Sequence, residues 1–294
     1  MHKTKESSSK KLIFTIILNF FITAVQIIGG LISGSLALLS DALHNFGDGM
    51  AIVVAYIANR ISRKRSNIRK TFGYQRVEII AALFNSTLLI GICIFLFVEA
   101  YQRFNNPQPI KAGLMMIIAG AGLLANFIAV ILLHGHKSAN LNIKAAYLHL
   151  LGDTISSVAV ILGGVFIYYF KIYWLDPLIT VLLGVYIIWH AYGIVKETFD
   201  ILIMSAPKNF ELRKIKRMIE KIPEINNIHH VHAWQLTDQK IHFECHLDLN
   251  EDLPVSRTDQ IRKYIEKKLK EKFGILHVTL QFEYNACKNK SIIY

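Results

Sequence analysis

The sequence predicts an α-helical membrane protein: a six-helix transmembrane domain followed by a small cytoplasmic α+β domain with the order αββαβ. Three observations predict it. The 294-residue chain is 53% hydrophobic and only 18% charged, where a soluble domain carries roughly a quarter charged residues. The shortage is confined to residues 12–200, while the remainder is rich in Lys and Glu. The apolar part also divides into six runs, each near the roughly 20 residues that a bilayer-crossing helix needs. Composition changes at Ser205-Ala206-Pro207, which separates a membrane domain, residues 1–206, from a tail domain, residues 207–294.

The six runs are 12–33, 36–60, 77–102, 111–134, 143–170 and 175–198. Six in series exceed what one soluble core of this size buries. The first is long, lacks a small-residue cleavage site and leads straight into the second, so it is read as a retained helix and not a signal peptide. Basic residues set the orientation. Lys3, Lys5, Lys10 and Lys11 precede the first run, and Arg60, Arg63, Lys64, Arg65, Arg69, Lys70 and Arg76 surround the second connection. The first connection, Ser33-Gly34-Ser35, has none, and the third and fifth have few. This bias predicts a multi-pass protein of the cell inner (plasma) membrane with both termini and the tail in the cytoplasm. Much of the net charge of +12 is then juxtamembrane charge that meets anionic membrane lipids, and basic residues only modestly outnumber acidic ones in the tail. No nucleic-acid motif accompanies it. Three cysteines, Cys93, Cys245 and Cys287, make no disulfide framework.

In the tail, residues 210–222 carry apolar positions at helical spacing, and Pro223 stops that helix. Residues 228–236 and 240–249 read as strands joined at Thr237-Asp238-Gln239. In the second, Ile241, Phe243, Cys245 and Leu247 share one face, and His242, Glu244, His246 and Asp248 the other. Residues 255–273 form a Lys-rich amphipathic helix ended by Gly274, and 275–284 a third strand.

Two apolar runs contain a matching motif: LHNFGD at 43–48 and LHLLGD at 148–153. An ionisable side chain at bilayer depth costs about 2.5–3.5 kcal/mol on insertion scales, so two buried aspartates need partners. His44 and Asp48 lie one helical turn apart on one face, as do His149 and Asp153. If the second and fifth spans pack together, two imidazoles and two carboxylates converge. That ligand set suits a tetrahedral divalent ion, zinc above all. The simpler alternative is two separate His–Asp pairs that stabilise helix packing; the second copy of the motif argues for a shared site. Gly47 and Gly152 are expected to let the two helices approach. Asp41, on the face of His44, supports a ligand, lines an ion path or starts the helix. Neither motif contains the general-base Glu of an H-E-x-x-H metalloprotease, and a His2Asp2 shell leaves no position for catalytic water, so no enzyme and no cofactor is expected.

At this point the chain resembles the cation diffusion facilitator family, zinc-efflux type, including bacterial zinc/cadmium/cobalt transporters. The resemblance rests on SGSLALLSDALHNFGD, FGYQRVEI, AAYLHLLGD, Asp176-Pro177, HVHAW, ECHLDL and HVTLQFE, and covers almost the whole chain. It implies a homodimer whose tail is metallochaperone-like, and export of Zn2+, with Cd2+ and Co2+ as further substrates, in exchange for protons. It implies that His44, Asp48, His149 and Asp153 form the transport site. It also implies a second metal site in the tail at His232, His246 and Glu283, where Zn2+ acts as a regulatory ligand. The family's further histidine seven residues before that glutamate is Leu276 here, so Cys287 or Asp259 is a possible substitute ligand. No His, Cys or Asp stands in residues 60–76 to build a loop site, and His134 and His136 could collect metal at the cytoplasmic mouth. Protons compete with the metal for imidazole and carboxylate, so exchange follows by alternating access around one site.

Overall fold

The computed structural model describes residues 19–134, 141–286 and 291–292. Six helices come first: α1 (Asn19–Ser33), α2 (Leu36–Ser62), α3 (Val77–Asn105), α4 (Ala112–His134), α5 (Leu141–Phe170) and α6 (Leu175–Leu202). The tail follows as α7 (Leu212–Ile219), β1 (Ile225–Thr237), β2 (Lys240–Leu249), α8 (Val255–Phe273) and β3 (His277–Glu283). Met1–Ile57 with Ala82–Val195 form one compact unit, and Ala58–Ala81 with Lys196–Tyr294 a second. The loop between α2 and α3 therefore belongs with the sheet.

In the first unit, α3, the Leu151–Phe170 part of α5, and α6 are each long and apolar enough to cross a membrane. Their outward faces expose Phe84, Phe95, Leu162, Phe166, Leu182 and Trp189, which water would not tolerate in such numbers but lipid does. Inside, Ala37 and Leu38 of α2, Met115 and Ala119 of α4, Val160 and Ile167 of α5, and Ile179 of α6 make one apolar cluster. Small residues permit close crossings: a Cβ on Gly184 of α6 would lie 2.3 Å from the ring of Phe97, so the two helices meet at contact distance.

The turn from α1 into α2 is set by Gly34, whose φ of +73° is open to glycine at no steric cost. Ser35 caps α2 by accepting from Leu38 N (3.0 Å). The larger cap comes from α6. Asp176, fully buried, accepts from Ser35 Oγ (2.6 Å), Leu36 N (2.7 Å) and Ala37 N (3.2 Å). A carboxylate there meets the positive end of the α2 dipole and three donors at once. Pro177 stands in the first turn of α6, where its missing N–H costs nothing.

In the second unit, β1 pairs antiparallel with β2, and β2 pairs parallel with β3 through the α8 crossover. The expected order helix-strand-strand-helix-strand is the order found. Phe243, Cys245 and Leu247 face a core that also takes Ile215 and Ile219 of α7 and Ile261, Ile265 and Leu269 of α8. The last three recur every four residues, so one helical stripe is buried. α8 ends at Gly274 (φ +66°), whose N–H reaches Lys270 O while Ile275 N reaches Leu269 O. β1 begins three residues earlier than expected and carries a bulge. The register moves between His229↔His246 and His232↔Glu244, and His230 sits at φ +52°. One extra residue there reverses which side chains share a face downstream.

Candidate metal sites

α2 carries His44 and Asp48, and α5 carries Asp153; the ligand atoms of all three lie within 4.8 Å of one another. His44 uses both ring nitrogens: Nδ1 is 3.5 Å from Asp48 Oδ2 and Nε2 is 3.7 Å from Asp153 Oδ1. These separations are long for hydrogen bonds. One ion would take a single nitrogen of His44 and one oxygen from each carboxylate, and such a set lies within 4.8 Å. Asp153 is 4% exposed. His149 stands one turn before it on α5, and its side chain lies outside the described part of the structure, as does that of His134; His136 and Cys287 fall outside the described residues altogether.

Asp41 joins the helices that carry these groups. It accepts from Ser156 Oγ (2.5 Å) and Ser157 Oγ (3.2 Å) of α5, and from Gln26 Nε2 (3.3 Å) of α1. It is not among the clustered ligands; its work is to hold α2 against α5 one turn from His44. The glycines of the two motifs do something other than expected. A Cβ on Gly47 would meet Leu89 of α3 at 3.1 Å, and one on Gly152 would meet the Tyr186 hydroxyl of α6 at 3.2 Å. Each admits a flanking helix, and neither sits at a crossing of α2 with α5.

In the tail, the group that converges is His229, His246 and Glu283. His229 Nε2 lies 3.3 Å from Glu283 Oε2, and His246 Nδ1 lies 2.7 Å from Glu283 Oε1. His229 is 1% exposed, and neither of its ring nitrogens makes a hydrogen bond among the described residues. A buried imidazole without hydrogen bonds costs about 1–3 kcal/mol, a cost that coordination to a metal would remove. The family resemblance had implied His232 in this place. His232 is exposed, with its ring 5.2 Å from that of His230 and outside the group. The bulge at His230 is the reason: strict two-residue alternation does not hold across it, and no feature of the residue types announces it. His246 and Glu283 both belong to the group. Leu276 is exposed, and Asp259 pairs with Arg262 (2.6 Å) and Lys263 (2.7 Å) on α8.

Ionisable metal ligands buried between apolar helices, with a second His/Glu cluster on a separate α+β domain, define a membrane carrier for a cation. Residues 12–203 match the family described as cation efflux transmembrane domain, and residues 207–285 the cation efflux protein, cytoplasmic domain. The chain belongs to the cation efflux family, and to its zinc-efflux type. It is 36% identical over 297 residues to a protein of Bacillus subtilis (strain 168) named cadmium, cobalt and zinc/H(+)-K(+) antiporter, with 99% of this chain and 94% of that one covered. It is 37% identical over 286 residues to zinc transporter ZitB of Pectobacterium atrosepticum, covering 97% and 88%. It is 34% identical over 263 residues to metal cation efflux system protein CzcD of Cupriavidus metallidurans, covering 90% and 83%. The protein is thus a membrane transporter and not an enzyme.

Proposed function

We propose that this protein exports Zn2+, and with it Cd2+ and Co2+, from the cytoplasm across the cell inner (plasma) membrane in exchange for protons. His44, Asp48 and Asp153 bind the ion, and His149 completes a tetrahedral His2Asp2 shell. The observation that carries this reading is the convergence of three ligand atoms, one each from His44 and Asp48 of α2 and Asp153 of α5, within 4.8 Å of one another. Two carboxylates offset the ion's double charge, which lowers the cost of holding it in a low-dielectric bundle. The same groups bind protons, so the site gives up protons to take metal on one side and takes protons to release it on the other. Zn2+ at His229, His246 and Glu283 acts as a regulatory ligand in a homodimer joined through the tail domains, which with both termini lie in the cytoplasm. Membrane lipids are partners through the basic loops, and nucleic acid is not.

Reconstituted into proteoliposomes with a pH-sensitive dye inside, the protein is expected to move Zn2+ and protons in opposite directions. Asp48→Ala and His149→Ala are expected to lower the flux at least about tenfold, the equivalent of ~1.4 kcal/mol. Flux unchanged in both would refute the site. Zinc flux without proton counter-flux, sustained by a potassium gradient alone, would replace the proton as counter-ion.

A further inference from the structure

The segment joining α2 to α3 forms a cleft of about 490 Å3 with the sheet, lined by Lys64, Ser66 and Phe72 on one side and Lys240, His242 and His277 on the other. No carboxylate lines it. Its size is that of a small-molecule site. His242 and His277 are register partners on β2 and β3, with rings 4.3 Å apart. His242 is 6% exposed, packed between Trp234 (5.3 Å), Phe72 (5.5 Å) and His277, and its Nδ1 has no hydrogen-bond partner among the described residues. Lys240 Nζ donates to Gln75 Oε1 (2.7 Å), which fixes a cationic head at the rim and ties the loop to β2.

The charge here is one-signed. Burial first, and then His277, Lys240 and Arg76, hold the His242 imidazole below its ordinary pKa. Two histidines side by side could suggest a further metal site. The lysines and Arg76 argue against it, since they repel a cation and no acidic or thiol side chain is among the described residues that line the cleft. An anion has the opposite balance: it gains Lys64 and Lys240 as ammonium donors and the Ser66 hydroxyl, and it relieves the repulsion among the basic groups. Far larger than one phosphate group, the cleft also has the Phe72 ring to receive an apolar or planar body.

We propose that this cleft binds a phosphate ester, whose phosphate group bridges Lys64 of the loop and Lys240 of the sheet and clamps the two together. The phosphate can come from a lipid head group or from a soluble ester. Trp234 stacks on His242 and reports occupancy once Trp174 and Trp189, both exposed, are replaced by Phe. The full-length protein in phosphatidylcholine nanodiscs is titrated with glycerol phosphate. In parallel, nanodiscs containing phosphatidylglycerol are compared with those lacking it. A saturable change in Trp234 emission with glycerol phosphate assigns a soluble ester; a change only with phosphatidylglycerol assigns the lipid. In either case Lys64→Gln with Lys240→Gln, two exposed side chains, is expected to weaken the response at least about tenfold while the far-ultraviolet circular dichroism stays that of the parent. The proposal is overturned if neither probe changes the emission, or if the double variant responds like its parent.

Discussion

Replacing His229 and replacing His232 should give opposite results at the tail site, and the geometry says by how much. His229 is buried against Glu283, whereas His232 is exposed and outside the cluster. A four-ligand structural zinc site is worth about 10–16 kcal/mol near neutral pH, so each ligand contributes about 2.5–4 kcal/mol. With one coordination position given over to water, His229→Ala should weaken Zn2+ binding by about 100-fold, since each 1.4 kcal/mol is a factor of about ten. His232→Ala should change it by less than about threefold. The metal-free stability should move little in His229→Ala. The lost contacts are offset by removal of a buried ring whose nitrogens make no hydrogen bond. The assay is a competition titration against a chromophoric chelator, with the purified full chain carrying Asp48→Ala so that the tail site reports alone. Thermal unfolding with and without Zn2+ gives an independent reading through ligand linkage. Equal losses in the two variants, or a larger loss in His232→Ala, would refute the assignment and restore His232 as the ligand that the family resemblance implied.

Two further outcomes are expected. Asp176→Asn keeps one acceptor for three donors and removes the charge at the head of α2, so it should destabilise the protein by about 2–4 kcal/mol, read as a lower Tm in detergent; an unchanged Tm would remove the cap from the account. His242 should make the protein acid-sensitive. Its folded pKa lies below the ordinary value of 6.5 because of burial, His277, Lys240 and Arg76. Below pH 6.5 the unfolded chain therefore binds more protons, and stability falls with pH until the folded pKa is passed. His242→Phe should show a smaller drop in Tm between pH 7.5 and 5.5 than the parent, and an equal drop would place the acid sensitivity elsewhere.

The repeated L-H-x-x-G-D motif was readable as chemistry because helical geometry is local. Four-residue spacing puts His44 above Asp48 whatever surrounds them, and a charged group in an apolar run demands a partner. The same locality makes the tail's helix and strand order legible, through the four-residue stripe of α8 and the alternation of β2. What could not be read was non-local. Nothing in the residue types around Asp176 says that its carboxylate caps another helix 140 residues away. Gly47 and Gly152 announce small size and not which neighbour uses it. The bulge at His230 depends on one residue with positive φ, a conformation enriched for histidine but not specified by it, and that single residue decides whether His229 or His232 meets Glu283.

Asp41 bears on what kind of motion the proposed transport site allows. Its carboxylate is held by Ser156, Ser157 and Gln26, one turn from His44, so α5, α2 and α1 are stitched together beside the ligands. Prising the cage open would break three buried bonds at the moment the ion most needs its charges compensated. On the transport reading proposed above, a motion that carries α1, α2 and α5 as one body keeps these bonds, whereas one that parts α2 from α5 does not.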